Sequence, residues 1–154
     1  MTTMPTIDME WQGFQALTAD RLYELLRFRQ TIFVVEQGSA YPDLDGLDRD
    51  ARHLLSRSEG ELVGYLRLLL IPGRPLIRIG RVAVAAHWRR CGLGRMLVKE
   101  ALRLCREDYP ERHVALSAQA HLVAFYASLG FAVVSEPYDD FGVRHVDMKV
   151  KPGA

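Results

Sequence analysis

The chain has 154 residues, 49% hydrophobic and 25% charged, with a formal net charge of +1. These totals suit one globular domain over residues 1–154, long enough to bury a core, and give no general case for a nucleic-acid or membrane partner. Two cysteines make no disulfide framework, and the most apolar run, Leu62–Ile71, is broken by Arg67 and too short to span a bilayer. With no signal-peptide pattern at the start, a cytoplasmic location is expected.

Ile7, Met9 and Trp11 alternate with polar residues and predict a first strand. Thr18, with Asp20 in the first turn, opens a helix in which Leu22, Leu25, Leu26 and Arg29 follow helical spacing. The apolar patch Ile32–Val35 ends at Glu36, and a loop follows that carries Asp43, Asp45, Asp48 and Asp50. Glu61–Ile71 reads as a strand, Pro72–Pro75 as a tight turn, and Ile77–Val84 as the returning strand. In that strand Ile77 and Ile79 share one phase, and Val82 and Val84 the other. A slip at Gly80–Arg81 predicts a bulge.

Leu93, Met96, Leu97, Ala101, Leu104 and Cys105 then form a helical stripe. Val114, Leu116 and Ala118 alternate as a strand, a helix around Tyr126 stops at Gly130, and Phe131–Ser135 with Val143–Val150 form a hairpin-like pair. The predicted order is β-α-β-β-β-α-β-α-β-β, an α/β (α+β) chain with a mixed, mostly antiparallel sheet flanked by helices.

The loop between the Val84 strand and the next helix, Arg89-Arg90-Cys91-Gly92-Leu93-Gly94-Arg95, is the strongest chemical signal. A glycine-rich loop opening a helix leaves backbone N–H groups free at the positive end of the helix dipole, and glycine lets a phosphate approach closely. It is neither a Walker loop, lacking Gly-Lys-Ser/Thr, nor a G-x-G-x-x-G fingerprint. The Asp43–Asp50 loop fails as an EF-hand, because Tyr41 and Arg52 would occupy ligand positions. No His/Cys cluster suggests zinc, so no metal is expected.

The pattern Arg89-x-x-Gly92-x-Gly94, after a Val-Ala-Val strand, resembles the pyrophosphate loop of the GNAT N-acetyltransferase superfamily. Ala124-Phe125-Tyr126-Ala127-Ser128-Leu129-Gly130-Phe131 is similar to a second motif of that family. Phe33–Gln37, Tyr41–Gly46, Arg52-His53, Ala118–Leu122 and Tyr138–Gly142 resemble its ElaA-like subgroup, and the likeness runs from about Phe33 to Met148.

The resemblance implies the GNAT fold and an acetyl-CoA-dependent N-acetyltransferase acting by direct amine attack. It implies that backbone groups of Val82, Ala83 and Val84 pair with pantetheine. The loop amides, with Arg89, Arg90, Cys91, Gly92, Leu93, Gly94 and Arg95, would hold the pyrophosphate. Cys91 is then a backbone ligand, not a nucleophile. Gln119 and His121 would touch the cofactor, although many relatives carry Asn where Gln119 stands.

Tyr126 would protonate the leaving thiolate, or else it is a core aromatic. With a thiol near ~8.5 and a phenol near ~10, full transfer is uphill by roughly 2 kcal/mol. The acceptor amine must be neutral, at a penalty of roughly 4 kcal/mol for a pKa of about 10.4. Glu36, His121 and His145 are the candidate bases. Glu36, Asp43, Asp45 and His145 are candidate acceptor contacts, with the aspartate loop either a solvated connection or an acidic mouth for small cationic amines. A non-catalytic acyl-CoA-binding or sensing domain is the alternative function, and a longer-chain acyltransferase a third. The amine and the oligomeric state, a homodimer included, stay open.

Overall fold

The computed structural model describes residues 5–152. Eight strands and three α-helices follow one another as β1 (Asp8–Gly13), α1 (Ala19–Gln30), β2 (Arg52–Ser58), β3 (Glu61–Leu70), β4 (Leu76–Val84), α2 (Leu93–Asp108), β5 (His113–Gln119), α3 (Val123–Ala127), β6 (Ala132–Val133), β7 (Tyr138–Asp140) and β8 (Val143–Val150). Hydrogen bonding orders the sheet β1-β2-β3-β4-β5-β8-β6, with β7 on β8. The β4–β5 pair is parallel, and the β1–β2, β5–β8, β6–β8 and β7–β8 pairs are antiparallel. The predicted order holds, with a short extra strand, β7, ahead of the last. The strand expected over Phe131–Ser135 shrinks to Ala132–Val133.

Two compact units share the chain, one over Met1–Arg67 and Arg81–Leu97, the other over Leu68–Gly80 and Val98–Ala154.

In the first unit Thr18 caps α1, its hydroxyl accepting the Arg21 N–H at 3.1 Å. The apolar stripe of α1 then seats Leu25 against Leu55, Leu62 and Tyr65, flanked by Leu17, Leu22, Leu26 and Phe28. Each such leucine contributes about 1.5–3 kcal/mol when fully buried. The helix continues directly into a π-helix, Thr31–Glu36, a rare wide turn that recurs at functional sites. Gly64 on β3 has no side chain where α2 arrives: a Cβ there would meet Leu97 Cδ1 at 3.0 Å and Leu93 Cδ2 at 3.3 Å. The missing side chain lets the first turns of α2 pack closely on β3.

The phase slip expected at Gly80–Arg81 is present as a left-handed residue inside β4, Arg81 at φ 55. For a non-glycine residue this costs of order 1–3 kcal/mol and persists only where the surroundings hold it. The parallel register of β4 with β5 covers Leu76–Arg78 opposite His113–Ala115 and ends there, before the slip.

In the second unit β5 and β8 pair in a register that sets Val114 opposite Val150, Leu116 opposite Met148 and Ala118 opposite Val146, all six side chains buried. The same register sets Gln119 opposite His145. Along α2 the buried stripe is Leu93, Leu97, Val98, Ala101, Leu102, Leu104 and Cys105. Met96, expected on it, is 45% exposed; Val98 and Leu102, one turn apart, take the inward positions instead.

Candidate active site

The glycine loop belongs to the first unit. Arg90 at φ 63 and Gly92 at φ 86 put two left-handed residues just ahead of α2. Successive amides in such a conformation form a concave anion-binding nest. Helix α2 opens directly after them, at Leu93, so the positive end of its dipole faces the same place. Space beside Gly92 is open, with nothing within 4 Å of where its Cβ would stand.

The arginines of this loop have divided roles. Arg89 donates from Nε to the Val84 carbonyl at 3.0 Å and from Nη2 to Glu36 Oε2 at 2.6 Å, stapling the end of β4 to the π-helix. Arg90 is exposed and has no ion-pair partner among the described residues. Cys91 is exposed, its thiol hydrogen-bonded to the Trp88 carbonyl. Glu36, a candidate base, therefore already holds a guanidinium.

The aspartate loop is the main departure from the sequence reading. Asp43 is 4% exposed and Asp48 8%, so this is no solvated connection. Arg29, on the apolar stripe of α1 and 0% exposed, donates from Nε to Asp43 Oδ2 at 3.0 Å and from Nη1 to Asp48 Oδ1 at 2.7 Å. Arg67 reaches Asp48 Oδ1 at 2.8 Å and grips Asp45 with both terminal nitrogens. Arg81 donates from Nε to Asp43 Oδ1 at 2.9 Å and from Nη2 to Asp45 Oδ2 at 3.1 Å, with its guanidinium 4.9 Å from the Tyr41 ring.

Three carboxylates thus face three guanidiniums, and the cluster carries no net charge. Burial opposes ionisation of Asp45, but hydrogen bonds from Arg67 and the Leu47 amide, with the charges of Arg67 and Arg81, outweigh it and hold the carboxyl down at about 2. Asp48 is lowered in the same contest, by Arg29 and Arg67 against burial.

Beneath the cluster, His53 Nε2 lies 2.9 Å from the Asp48 carbonyl and Nδ1 2.5 Å from the Tyr65 hydroxyl. A carbonyl only accepts, so Nε2 carries the proton and Tyr65 donates to Nδ1. Burial pushes the imidazole pKa down, keeping this buried ring neutral. Pattern reading named none of Arg29, Arg67, His53 and Tyr65 as functional. The available signal was a charged residue on an apolar helical stripe, Arg29, and another interrupting an apolar strand, Arg67. A buried charge demands a partner.

The second unit holds Tyr126, Gln119, His121 and His145. Tyr126 is 7% exposed, edge-on to Phe125 and Phe131 with ring centroids 5.0 and 5.9 Å away. The Tyr126 carbonyl accepts the Leu129 and Phe131 amides at 3.0 and 3.2 Å, and Gly130 at φ 100 makes the turn that returns Phe131. The hydroxyl makes no hydrogen bond among the described residues, unusual for a buried tyrosine. Burial alone pushes its pKa up to about 12. His145, half-buried, stacks on Tyr138 and lies with Nδ1 2.8 Å from the Val143 carbonyl, so Nδ1 carries the proton and Nε2 is left as an acceptor in the neutral ring. His121 is exposed, in the short 3-10 turn ahead of α3.

A family model described as an acetyltransferase (GNAT) domain matches residues 16–152. The chain belongs to the GNAT acetyltransferase family. Protein ElaA of Escherichia coli is 40% identical over 146 residues, covering 91% of this chain and 95% of that protein. The crystal structure of E. coli ElaA superposes with a TM-score of 0.90 at 38% identity, over 95% of this chain and all (100%) of that one. An acyl-CoA N-acyltransferase structure from Pseudomonas aeruginosa gives 0.88 at 38% identity, over 94% and 99%. A GNAT acetyltransferase from Elizabethkingia anophelis with acetyl-CoA bound shares the fold alone, with a TM-score of 0.64 at 14% identity over 94% and 97%. By class the GNAT chain described here is an N-acetyltransferase, with the mixed sheet and helices of the family. No helix among its described residues is long and apolar enough to cross a membrane.

Proposed function

We propose that this GNAT chain transfers an acetyl group from acetyl-CoA to a primary amine by direct attack. The observation that carries the reading is the nest at Arg90–Gly92: left-handed, exposed residues immediately before a helix start, with open space beside Gly92. The end of the β4–β5 register at Arg78 supports Val82, Ala83 and Val84 as the segment that pairs with pantetheine.

Acetyl-CoA would supply a thioester whose carbonyl carbon takes the amine nitrogen as the C–S bond breaks. One proton leaves the nitrogen and one reaches sulfur. Tyr126 has a hydroxyl without a hydrogen-bond partner among the described residues to offer. With its pKa at about 12, full transfer to a thiolate near ~8.5 is uphill by about 5 kcal/mol, so its role is to donate a hydrogen bond to developing charge.

Among the candidate bases, Glu36 is committed to Arg89. The tautomer of His145 leaves Nε2 open, which favours it as the acceptor-side base, directly or through water. The aspartate cluster, matched by arginines one for one, gives no electrostatic reason to restrict the acceptor to cations. Neither Cys91 nor Cys105 is in a disulfide, in keeping with a reducing, cytoplasmic setting.

The test is a panel of cationic, neutral and peptide N-terminal amines with acetyl-CoA, scored by the mass of the acetylated product. Acetylated amine formed with stoichiometric thiol release is the expected result. Tight acyl-CoA binding with no product from any amine would favour the binding-domain reading instead.

A further inference from the structure

Between the π-helix and β2 the GNAT chain runs from Gln37 to Leu47 without a regular element. Side chains tie this stretch down: Asp43, Asp45 and Asp48 are each held by two arginines. Two of those arginines, Arg29 and Arg67, sit on rigid elements, α1 and β3. The third, Arg81, is different. It is the left-handed residue of β4, two residues past Ile79 and immediately before Val82–Val84. Its guanidinium is fixed on four sides, by the Asp43 carboxylate, the Asp43 carbonyl at 3.1 Å, the Asp45 carboxylate and the Tyr41 ring.

An unfavourable backbone conformation survives where the surroundings over-determine it. Arg81 meets that condition through its own side chain, because a planar fork on two carboxylates fixes direction as well as distance. A left-handed residue within a strand re-aims the residues that follow it. On the carboxyl side Ala85 N–H is tied to the Val63 carbonyl at 2.8 Å, so Val82–Val84 are set between two anchors.

We infer that Arg81 is a positioning residue for the acyl-CoA cofactor: clamped by Asp43 and Asp45, it holds the left-handed step of β4 that presents the Val82–Val84 backbone to pantetheine. This rests on the reading of those three residues as the pantetheine partners. It gives the aspartate loop a cofactor role in place of an acceptor role, so the two assignments predict opposite outcomes.

The experiment combines calorimetric titration with coenzyme A and amide hydrogen exchange at Val82, Ala83 and Val84 without ligand. Both are applied to the parent, Arg81→Ala and Arg81→Lys, with Arg57→Ala as control. Arg57 pairs with Glu24 away from this loop and should leave affinity and exchange at these amides unchanged. Arg81→Ala should exchange faster at the three amides and bind coenzyme A about tenfold more weakly while remaining folded. Arg81→Lys keeps the charge but loses the fork, so it should lie between, at about threefold, and it carries the test if the alanine variant does not fold.

Unchanged exchange in a folded Arg81 variant overturns the inference, as does faster exchange with coenzyme A affinity kept. A parent that binds no coenzyme A overturns the underlying cofactor reading instead, and does so without any variant.

Discussion

The glycine loop and the aspartate loop of the first unit look alike in sequence: each gathers polar donors or charges in a short irregular stretch. In the structure they are opposites. At the aspartate loop Asp43, Asp45 and Asp48 each meet arginine, Asp43 and Asp48 lie buried, and the charges of these three and their three arginines sum to zero. At the glycine loop the backbone takes left-handed turns at Arg90 and Gly92, and α2 begins immediately after them at Leu93. A cluster of charges identifies a binding site only after its internal partners have been subtracted. Tyr126 belongs with the glycine loop by that measure, since its hydroxyl has no hydrogen-bond partner among the described residues.

The largest expected effect comes from removing a partnered group. Arg29→Ala leaves Asp43 and Asp48 buried beside fewer cations, a change that destabilises by about 3–5 kcal/mol. Thermal unfolding should show the midpoint falling by roughly 10 °C for a chain of this size. An unshifted midpoint would mean that water, not Arg29, satisfies the carboxylates.

Removing an unpartnered group should do the reverse. Tyr126→Phe loses no hydrogen bond, so the unfolding midpoint and coenzyme A affinity should hold while turnover falls about 10- to 100-fold. Parent-like turnover on a confirmed acceptor would leave Tyr126 as a packing residue. Because its pKa is raised to about 12, its ionisation should also place no limb in the rate profile below about pH 10.

A smaller effect follows from acid. Asp45 titrates at about 2 when folded against an ordinary 3.8, so it binds a proton less readily folded than unfolded. Its stabilisation is complete above the unfolded value and is lost as pH falls from about 4 towards 2, an amount of about 1–2 kcal/mol after solvent screening. Asp48, also lowered, acts in the same direction. Denaturant melts of parent and Asp45→Asn at pH 6 and pH 3 check the sign: the gap between them should narrow in acid. A gap that widens would contradict the ion-pair account.

Much of this molecule is legible in its sequence. The Thr18 cap, the slip at Gly80–Arg81 and the stop at Gly130 are local backbone chemistry, and all three stand where the residue types put them. So does the glycine loop, whose signal is its own composition and its place between strand and helix. The arginine network was not readable because its partners are far apart in sequence: Arg29 is 14 residues from Asp43, Arg67 is 22 from Asp45, and Arg81 is 38 from Asp43. Periodicity shows which side chains face inward, not which charges meet there. Met96 errs for a related reason, since 3.6-residue spacing admits neighbouring positions at the stripe's edge and only packing decides between them.

The most direct measurement compares coenzyme A with pantetheine, which lacks the pyrophosphate, by calorimetric titration of the parent and of Gly92→Val. A valine at φ 86 is strained and fills the open space beside the nest, so it should weaken phosphate contacts specifically. The account predicts that the parent prefers coenzyme A by about 100-fold or more, roughly 3 kcal/mol, and that Gly92→Val erases most of this preference while pantetheine binding changes little. An equal preference in parent and variant would contradict the assignment of the loop as the phosphate site.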